Sequence, residues 1–286
     1  MKRSIWSGVL LACAMAATCA AWAKGPGSVR KQLEASMLVT GLITIRPDGS
    51  VAAVDVDKPQ RLPEGIAAFV GRNAADWRFE PVQVDGKAAQ VRARMSVRLI
   101  AKPLGDGKME VSVRSADFGD EQAQPAAERI TAREMTPPGY PLSAAEKGVQ
   151  GTAYLLLRVG RDGAVKEAVA EQVNLRYIAS EPQMNQHRYR FARTALAAAR
   201  RWTFQPPTEG DAARQTEWAV RVPVDFTFGG ERRYGQWEAY VPGPRERVPW
   251  ADQDDPAFSP DALVEGGVYQ AHGRKGPRLL TPLDSV

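Results

Sequence analysis

Two small α+β domains, each a helix packed on an antiparallel sheet in β-β-α-β order, are what the sequence predicts, followed by an extended C-terminal tail. Three observations carry this. The wording Ala-x-x-Trp-x-Phe-x-Pro occurs twice, at Ala74–Pro81 and Ala199–Pro206. An Asp-Gly turn precedes each copy, at Asp48-Gly49 and Asp162-Gly163. Period-two alternation flanks those turns, and period-3.6 spacing precedes each tryptophan.

The elements follow in order. In "MLVTGLITI", residues 37–45, Val39, Gly41, Ile43 and Ile45 fall on one face and Thr40 and Thr44 on the other. Glycine tolerates the positive φ of a tight turn, so Asp48-Gly49 predicts a hairpin into "VAAVDV". Pro63 fits near a helix start, and Ile66, Val70, Ala74 and Trp77 then recur at helical spacing. "FEPVQVDGKAAQVRARMSVRLIA" offers the turn Asp85-Gly86 and a long alternating strand, with a further strand expected within 107–118.

From residue 151 the text returns. "GTAYLLLRVGRDGAV" aligns without a gap to "MLVTGLITIRPDGSV", and Ala195, Ala199 and Trp202 take the places of Val70, Ala74 and Trp77. "TEWAVRVPVDFTF" (216–228) is matched to "AAQVRARMSVRLI" (88–100) as the closing strand. Val51 to Trp77 spans 26 positions and Val165 to Trp202 spans 37, so 11 extra residues lie within 172–190.

The repeated motif reads as a corner of the fold. A helix shorter than about four turns is marginal alone and needs tertiary packing. Trp77 and Trp202 are large enough to close one end of a small core, with Phe79 and Phe204 turning inward where the chain extends. The prolines that follow stop the helix and forbid a full ladder there. These four residues are the expected structural core. The predicted organisation is a signal peptide at 1–23, a lead-in at 24–36, a divergent first domain at 37–118, a linker at 119–136, a second domain at 137–228 and an extended tail at 229–286.

Residues 1–23 have a basic head (Lys2, Arg3), twenty uncharged residues and an Ala-x-Ala end at Ala23, the layout of a cleaved secretory signal peptide. An uncleaved anchor is the rival reading, since about twenty uncharged residues suffice to span a bilayer. Cys13 and Cys19 both lie in this segment, so the remaining chain has no disulfide, thiol nucleophile or Cys-ligated metal. Cleavage takes the net charge from +5 to +3, with both signs interspersed and no basic track for nucleic acid.

No chemistry of an enzyme is legible. His187 and His272 are the two histidines, and neither has triad or metal-motif spacing. The Asp-Gly turns lack the remaining oxygen ligands of a calcium loop. "GGERRYG" has no helix after it to hold phosphate. No cofactor, metal, nucleic acid or small-molecule substrate is therefore expected.

Residues 137–228 resemble the TonB C-terminal domain family. The resemblance rests on Tyr140-Pro141, Ala145, Gly148, Gly151, the Asp162-Gly163 turn and Trp202-x-Phe204-x-Pro206 before the last strand. Residues 37–101 look like a weaker, divergent copy without the Tyr-Pro entry. Membership implies a β-β-α-β domain whose last-strand edge receives a short extended segment of an outer-membrane or envelope protein, in the periplasm. An unpaired edge is a ready template for such strand addition. Unlike an energy transducer, this chain has no long proline-rich spacer before its first predicted strand.

The closing strand carries the expected site. Trp218, Val220 and Val222 alternate with Arg221, and Pro223 marks an edge because proline cannot donate to a ladder. Backbone at 216–222 is the expected peptide-binding segment, with Arg221 as a side contact and Arg176, Tyr177, Arg188, Tyr189 and Arg190 bordering it. The alternative is a structural or assembly role in which the same edges form a homodimer. The tail is expected to be extended, either free or pinned back through Trp237 and Tyr240.

Overall fold

The computed structural model describes residues 34–84, 86–105, 108–120, 125–228, 234–250, 258–271 and 276–283. The predicted signal peptide lies outside the described residues. The fold is mixed α+β, with several small antiparallel sheets and few helices.

The first unit contains β1 (Glu34–Ile45), β2 (Val51–Val56), α1 (Ile66–Ala75), a two-residue pair β3 (Gln83–Val84) and β4 (Lys87–Ala88), then β5 (Val91–Gly105) and β6 (Lys108–Asp120). The second contains β7 (Thr131–Glu134), α2 (Leu142–Ala145), β8 (Gly151–Gly160), β9 (Val165–Leu175), α3 (Glu181–Ala199), β10 (Thr203–Gln205) and β11 (Glu217–Phe226). The tail adds β12 (Glu238–Tyr240) and β13 (Tyr269–Gln270).

Alternation sets both cores. Met37, Val39, Ile43 and Ile45 of β1 and Ala93, Met95, Val97 and Leu99 of β5 share one buried face, which packs on Ile66, Val70 and Ala74 of α1. In the second unit Ala153, Leu155, Leu157 and Val159 of β8 lie with Trp218, Val220, Val222, Val224 and Phe226 of β11 against Phe191, Ala195 and Ala198 of α3. The extra residues lengthen the helix: α1 has 10 residues and α3 has 19, started by a capping box between Ser180 and Gln183.

Register corrects the alignment of the closing strands. Val39 pairs with Val97, and its counterpart Ala153 pairs with Val224. Val224 therefore corresponds to Val97, one position from the gapless match of 216–228 to 88–100. A one-residue shift exchanges the two faces of a strand, so the distinction is physical. With it, Val220, Val222, Val224 and Phe226 alternate without a slip.

The two corners are built alike. Gly49 (φ 81°) and Gly163 (φ 74°) sit in the left-handed region. Phe79 N–H donates to the Gly49 carbonyl at 2.8 Å, and Phe204 N–H to that of Gly163 at 2.9 Å. A Cβ on either glycine would stand 2.1 Å from the phenylalanine carbonyl oxygen. Each Asp-Gly turn and each Trp-x-Phe motif are thus partners, which is why they recur together. Trp77, Phe79, Trp202 and Phe204 are all at most 3% exposed.

The described parts of the tail are docked. β12 pairs with Glu34–Ser36 of β1, while Val241 bridges to Leu175 of β9. Leu279 bridges to Phe79 and enters the first core. Between these, the turn Pro260–Ala262 touches β5, β6 and β11, and so lies between the two sheets on the faces away from their helices. Asp261 is the hub. Its carbonyl accepts from Arg98 at 2.9 and 2.6 Å, its carboxylate accepts from Ser115 at 3.0 Å and from Tyr240 Oη, and Tyr240 Oη also accepts from Asn174 at 3.1 Å. Burial alone would raise the Asp261 pKa; Arg98 and the hydrogen bonds from Tyr240 and Ser259 outweigh it and hold the carboxyl low.

Candidate functional site

Strand addition needs a sheet edge, so the edges define where a partner strand can bind. The second sheet runs β13-β11-β8-β9. Its closing strand β11 is paired along its inner side with β8 at all ten residues, Glu217–Phe226. On the outer side, among the described residues, only Val220 and Arg221 are in register with a strand, facing Gln270 and Tyr269 of β13. Ala271 N–H extends this contact to the Ala219 carbonyl at 2.8 Å, and Gly266 N–H reaches the Pro223 carbonyl at 3.3 Å.

Pro223 explains itself here. Its carbonyl accepts from the outer side, and in an antiparallel strand a residue's N–H and C=O point the same way. The proline nitrogen therefore also points outward, and the ladder with β8 loses nothing. The outer edge loses a donor at that position.

Each expected site residue has a definite place. Trp218 is buried in the second core and its Nε1 donates to the Ala212 carbonyl at 3.2 Å. Val220 and Val222 point into the same core. The N–H and C=O groups of these three alternate with those of Ala219 and Pro223 and point toward β8, so the backbone on offer at the outer edge is that of Ala219, Arg221, Pro223 and Asp225. Arg221 is buried: its Nε stands 2.8 Å from Glu171 Oε2, while Arg245 of the tail holds Glu171 Oε1 at 2.7 Å. The Arg221 guanidinium also lies 4.8 Å from the Phe258 ring centroid. Arg221 is thus packed beneath the tail and is not an exposed side contact.

The inserted residues divide. Arg176 clamps the end of β11, with Nη2 at 2.8 Å from Asp225 Oδ1 and 3.1 Å from the Phe226 carbonyl. Tyr177 meets the buried His187 edge-on at 5.6 Å. Arg188 and Tyr189 lie on the other side of the sheet, lining a cavity of about 730 Å³ between β9 and α3 whose walls include Ala168, Ala170, Leu196 and Arg193. Arg190 is half-buried, and its carbonyl accepts from Thr194. Apart from Arg176, this set is not shown bordering the β11 edge.

Tyr140, the entry residue of the second unit, donates to the Val149 carbonyl at 2.6 Å, and its ring stacks on Phe228 at 4.6 Å. Burial pushes its hydroxyl up to about 12, so it remains a hydrogen-bond donor at neutral pH. Among the described residues no group of three His, Cys, Asp or Glu is placed to hold a metal ion. No helix among them is long and apolar enough to cross a membrane.

The residues that sequence reading missed are all in the tail: Phe258, Asp261, Gly266, Tyr269 and Gln270. "AFSPDALV", a short apolar run in an otherwise polar segment, was the available signal.

No protein-family model matches the chain. TonB proteins from two strains of Xanthomonas campestris pv. campestris are 31% identical over 99 residues, covering 35% of this chain and 38% of theirs. The chain thus spans well under half the length of these relatives. A solution structure of the Pseudomonas aeruginosa TonB C-terminal domain aligns at 23% identity over 39% of this chain and 94% of that one, with a TM-score of 0.23. Over the matched 99 residues the chain thus shows weak to moderate homology to TonB proteins.

Proposed function

We propose that this protein is a periplasmic, non-catalytic binding module that holds an extended segment of an outer-membrane or envelope protein as an added strand on the outer edge of β11. The observation that carries the reading is the contrast between the two closing strands. The outer edge of β5 is sealed by β6 over twelve pairs, from Ala93↔Asp120 to Gly105↔Lys108. Among the described residues the outer edge of β11 has two. Among the described residues no strand of the second unit covers the outer edge of β11, which meets only a short tail segment at Ala219–Pro223, and that unit carries the TonB-like entry Tyr140-Pro141.

In this reading the outward-facing backbone groups of Ala219, Arg221 and Asp225, on either side of Pro223, form the site, while the side chains of Trp218, Val220 and Val222 hold it rigid from below. The carbonyls of Ala219 and Pro223 face the incoming strand. Because Pro223 gives no donor, contacts concentrate on either side of it. Export with cleavage after Ala23 would place the module in the periplasm, and an intact mass of the native protein beginning at Lys24 checks that step.

The test is amide exchange of the full mature chain with and without synthetic peptides copied from periplasm-facing ends of outer-membrane receptors. New protection confined to residues 219–226 is the expected result. Protection elsewhere, with 219–226 unchanged, sinks the edge reading. A concentration-dependent dimer protected at the same residues favours the assembly role instead.

A further inference from the structure

We infer that the tail segment 264–271 is a releasable cap on the β11 edge, competing in cis with the incoming strand. This rests on the β11 reading above and adds its regulation.

Four observations support it. The first is position. By the corrected register, Val220 and Arg221 correspond to Ala93 and Arg94, which pair with Asp120 and Gly119 at the far end of β6. β11 ends at Phe226, the equivalent of Leu99, so among the described residues β13 occupies two of the seven β6 places that β11 reproduces. An intruding segment that paired as β6 does would make several-fold more backbone contact than the cap it displaces.

The second is burial. Pro260, Asp261, Ala262 and Leu263 are all buried, whereas no residue from 264 to 271 is. The cap ends abruptly where the buried turn Pro260–Ala262 begins. The third is anchoring. Leu263 on one side and Leu279 on the other are 1% and 3% exposed, the latter within the first core. Residues 264–271 lie between these two anchors and contribute to neither.

The fourth is local conformation. Gly266, at φ 78°, turns the chain away just where its N–H meets Pro223. A regular strand cannot continue through that geometry, so the cap stays short. Tyr269 donates its hydroxyl to the Val264 carbonyl at 2.9 Å, which folds the segment on itself. These features give a short cap held by a few backbone contacts, by Val268 against the second core and by its tether. A tether supplies an effective concentration of order millimolar, and a site open for only a fraction of the time binds its partner more weakly by that fraction.

The experiment uses the full mature chain and, as probe, a labelled peptide of residues 108–120, the strand that seals the equivalent edge in the first unit. Ala271→Pro removes the N–H that reaches Ala219 and should tighten probe binding at least about tenfold, by the open-fraction relation. Paired Ala219→Cys and Ala271→Cys substitutions place two thiols at facing positions, in a chain with no other cysteine after residue 23. Their disulfide should abolish probe binding, and reductant should restore it. Equal affinity in the wild type, Ala271→Pro and the locked variant overturns the inference.

Amide exchange without probe separates the two readings. Gly266 and Ala271 N–H should exchange well before Ala262 and Leu263 N–H. If all four exchange only on global unfolding, the cap is permanent and the inference fails, whatever binds elsewhere. If the cap opens but no variant binds the probe or any receptor-end peptide, strand addition at β11 fails, and the competition with it.

Discussion

The two units carry the same cross-strand ion pair and treat it oppositely. Asp57 and Glu171 are repeat equivalents, as are Arg94 and Arg221 once the closing strands are in register. Arg94 Nη2 lies 2.6 Å from Asp57 Oδ2 with the side chains 46% and 32% exposed, whereas Arg221 and Glu171, at 2.8 Å, are 4% and 3% exposed. The tail makes the difference by laying Phe258 and Arg245 over the second pair. The edges differ in the reverse sense: β5 is fully sealed by a strand of its own unit, while β11 is lightly capped from far along the chain. At the ion pair the first unit is exposed and the second is covered, while β5 is flanked by a strand of its own unit and β11 only by the tail. A shared β-β-α-β plan therefore leaves binding capacity undetermined, and what lies against the sheet fixes it.

The largest effect should come from the corners, and it should be equal in the two units. Trp202→Ala and Trp77→Ala each remove a buried ring and should cost about 3–5 kcal/mol. Chemical denaturation of each variant measures this. A large loss for one and none for the other would break the equivalence of the corners.

The ion pairs should separate the units. Arg221→Ala breaks a buried pair, for which about 3–5 kcal/mol is typical. Arg245 still holds Glu171, so the low end is expected. Arg94→Ala breaks a half-exposed pair and should cost no more than about 1 kcal/mol. Matching losses in the same denaturation experiment would mean that the tail does not bury Arg221 in solution.

The smallest effect is acid sensitivity confined to the second unit, whose longer helix carries His187. That side chain is 1% exposed, and its Nδ1 has no hydrogen-bond partner among the described residues. Burial, then the charges of Arg190 and Lys147, hold its pKa below the ordinary value. The unfolded chain takes up the proton near pH ~6.5, so below that the folded state binds fewer protons. Stability contributed by neutral His187 is present above that pH and is lost as pH falls toward the depressed folded value. His187→Phe should flatten the stability curve between pH 7.5 and 5.5 relative to wild type. An unchanged slope would show that His187 titrates normally.

Much of the fold was legible because local rules repeat. Asp-Gly turns, alternating strands and the Trp-x-Phe motif are short-range signals, and each of the two copies contributes to its own buried core. The closing-strand register was missed by one residue, because "AVRVPV" and "RARMSV" alternate equally well in either phase and only pairing with β1 and β8 separates them. Arg221 read as a rim charge for a similar reason. Sequence shows that it faces away from Trp218 and Val220, but not that a segment 37 residues later covers it.

By itself, then, the sequence determined the repeat, the corner chemistry, the faces of β1 and β8 and the edge character of β11 marked by Pro223. Tertiary structure decided which edges stay open, which of two equivalent ion pairs is buried, and that the tail runs between and around both sheets. The physical reason is range. Turn geometry and side-chain alternation are set by neighbours a few residues apart. The tail is held by Asp261 with Arg98, Phe258 with Arg221 and Leu279 with Phe79, contacts spanning 163, 37 and 200 positions. Such contacts leave no periodic trace in the chain; they depend on what both sheets leave uncovered once they have folded.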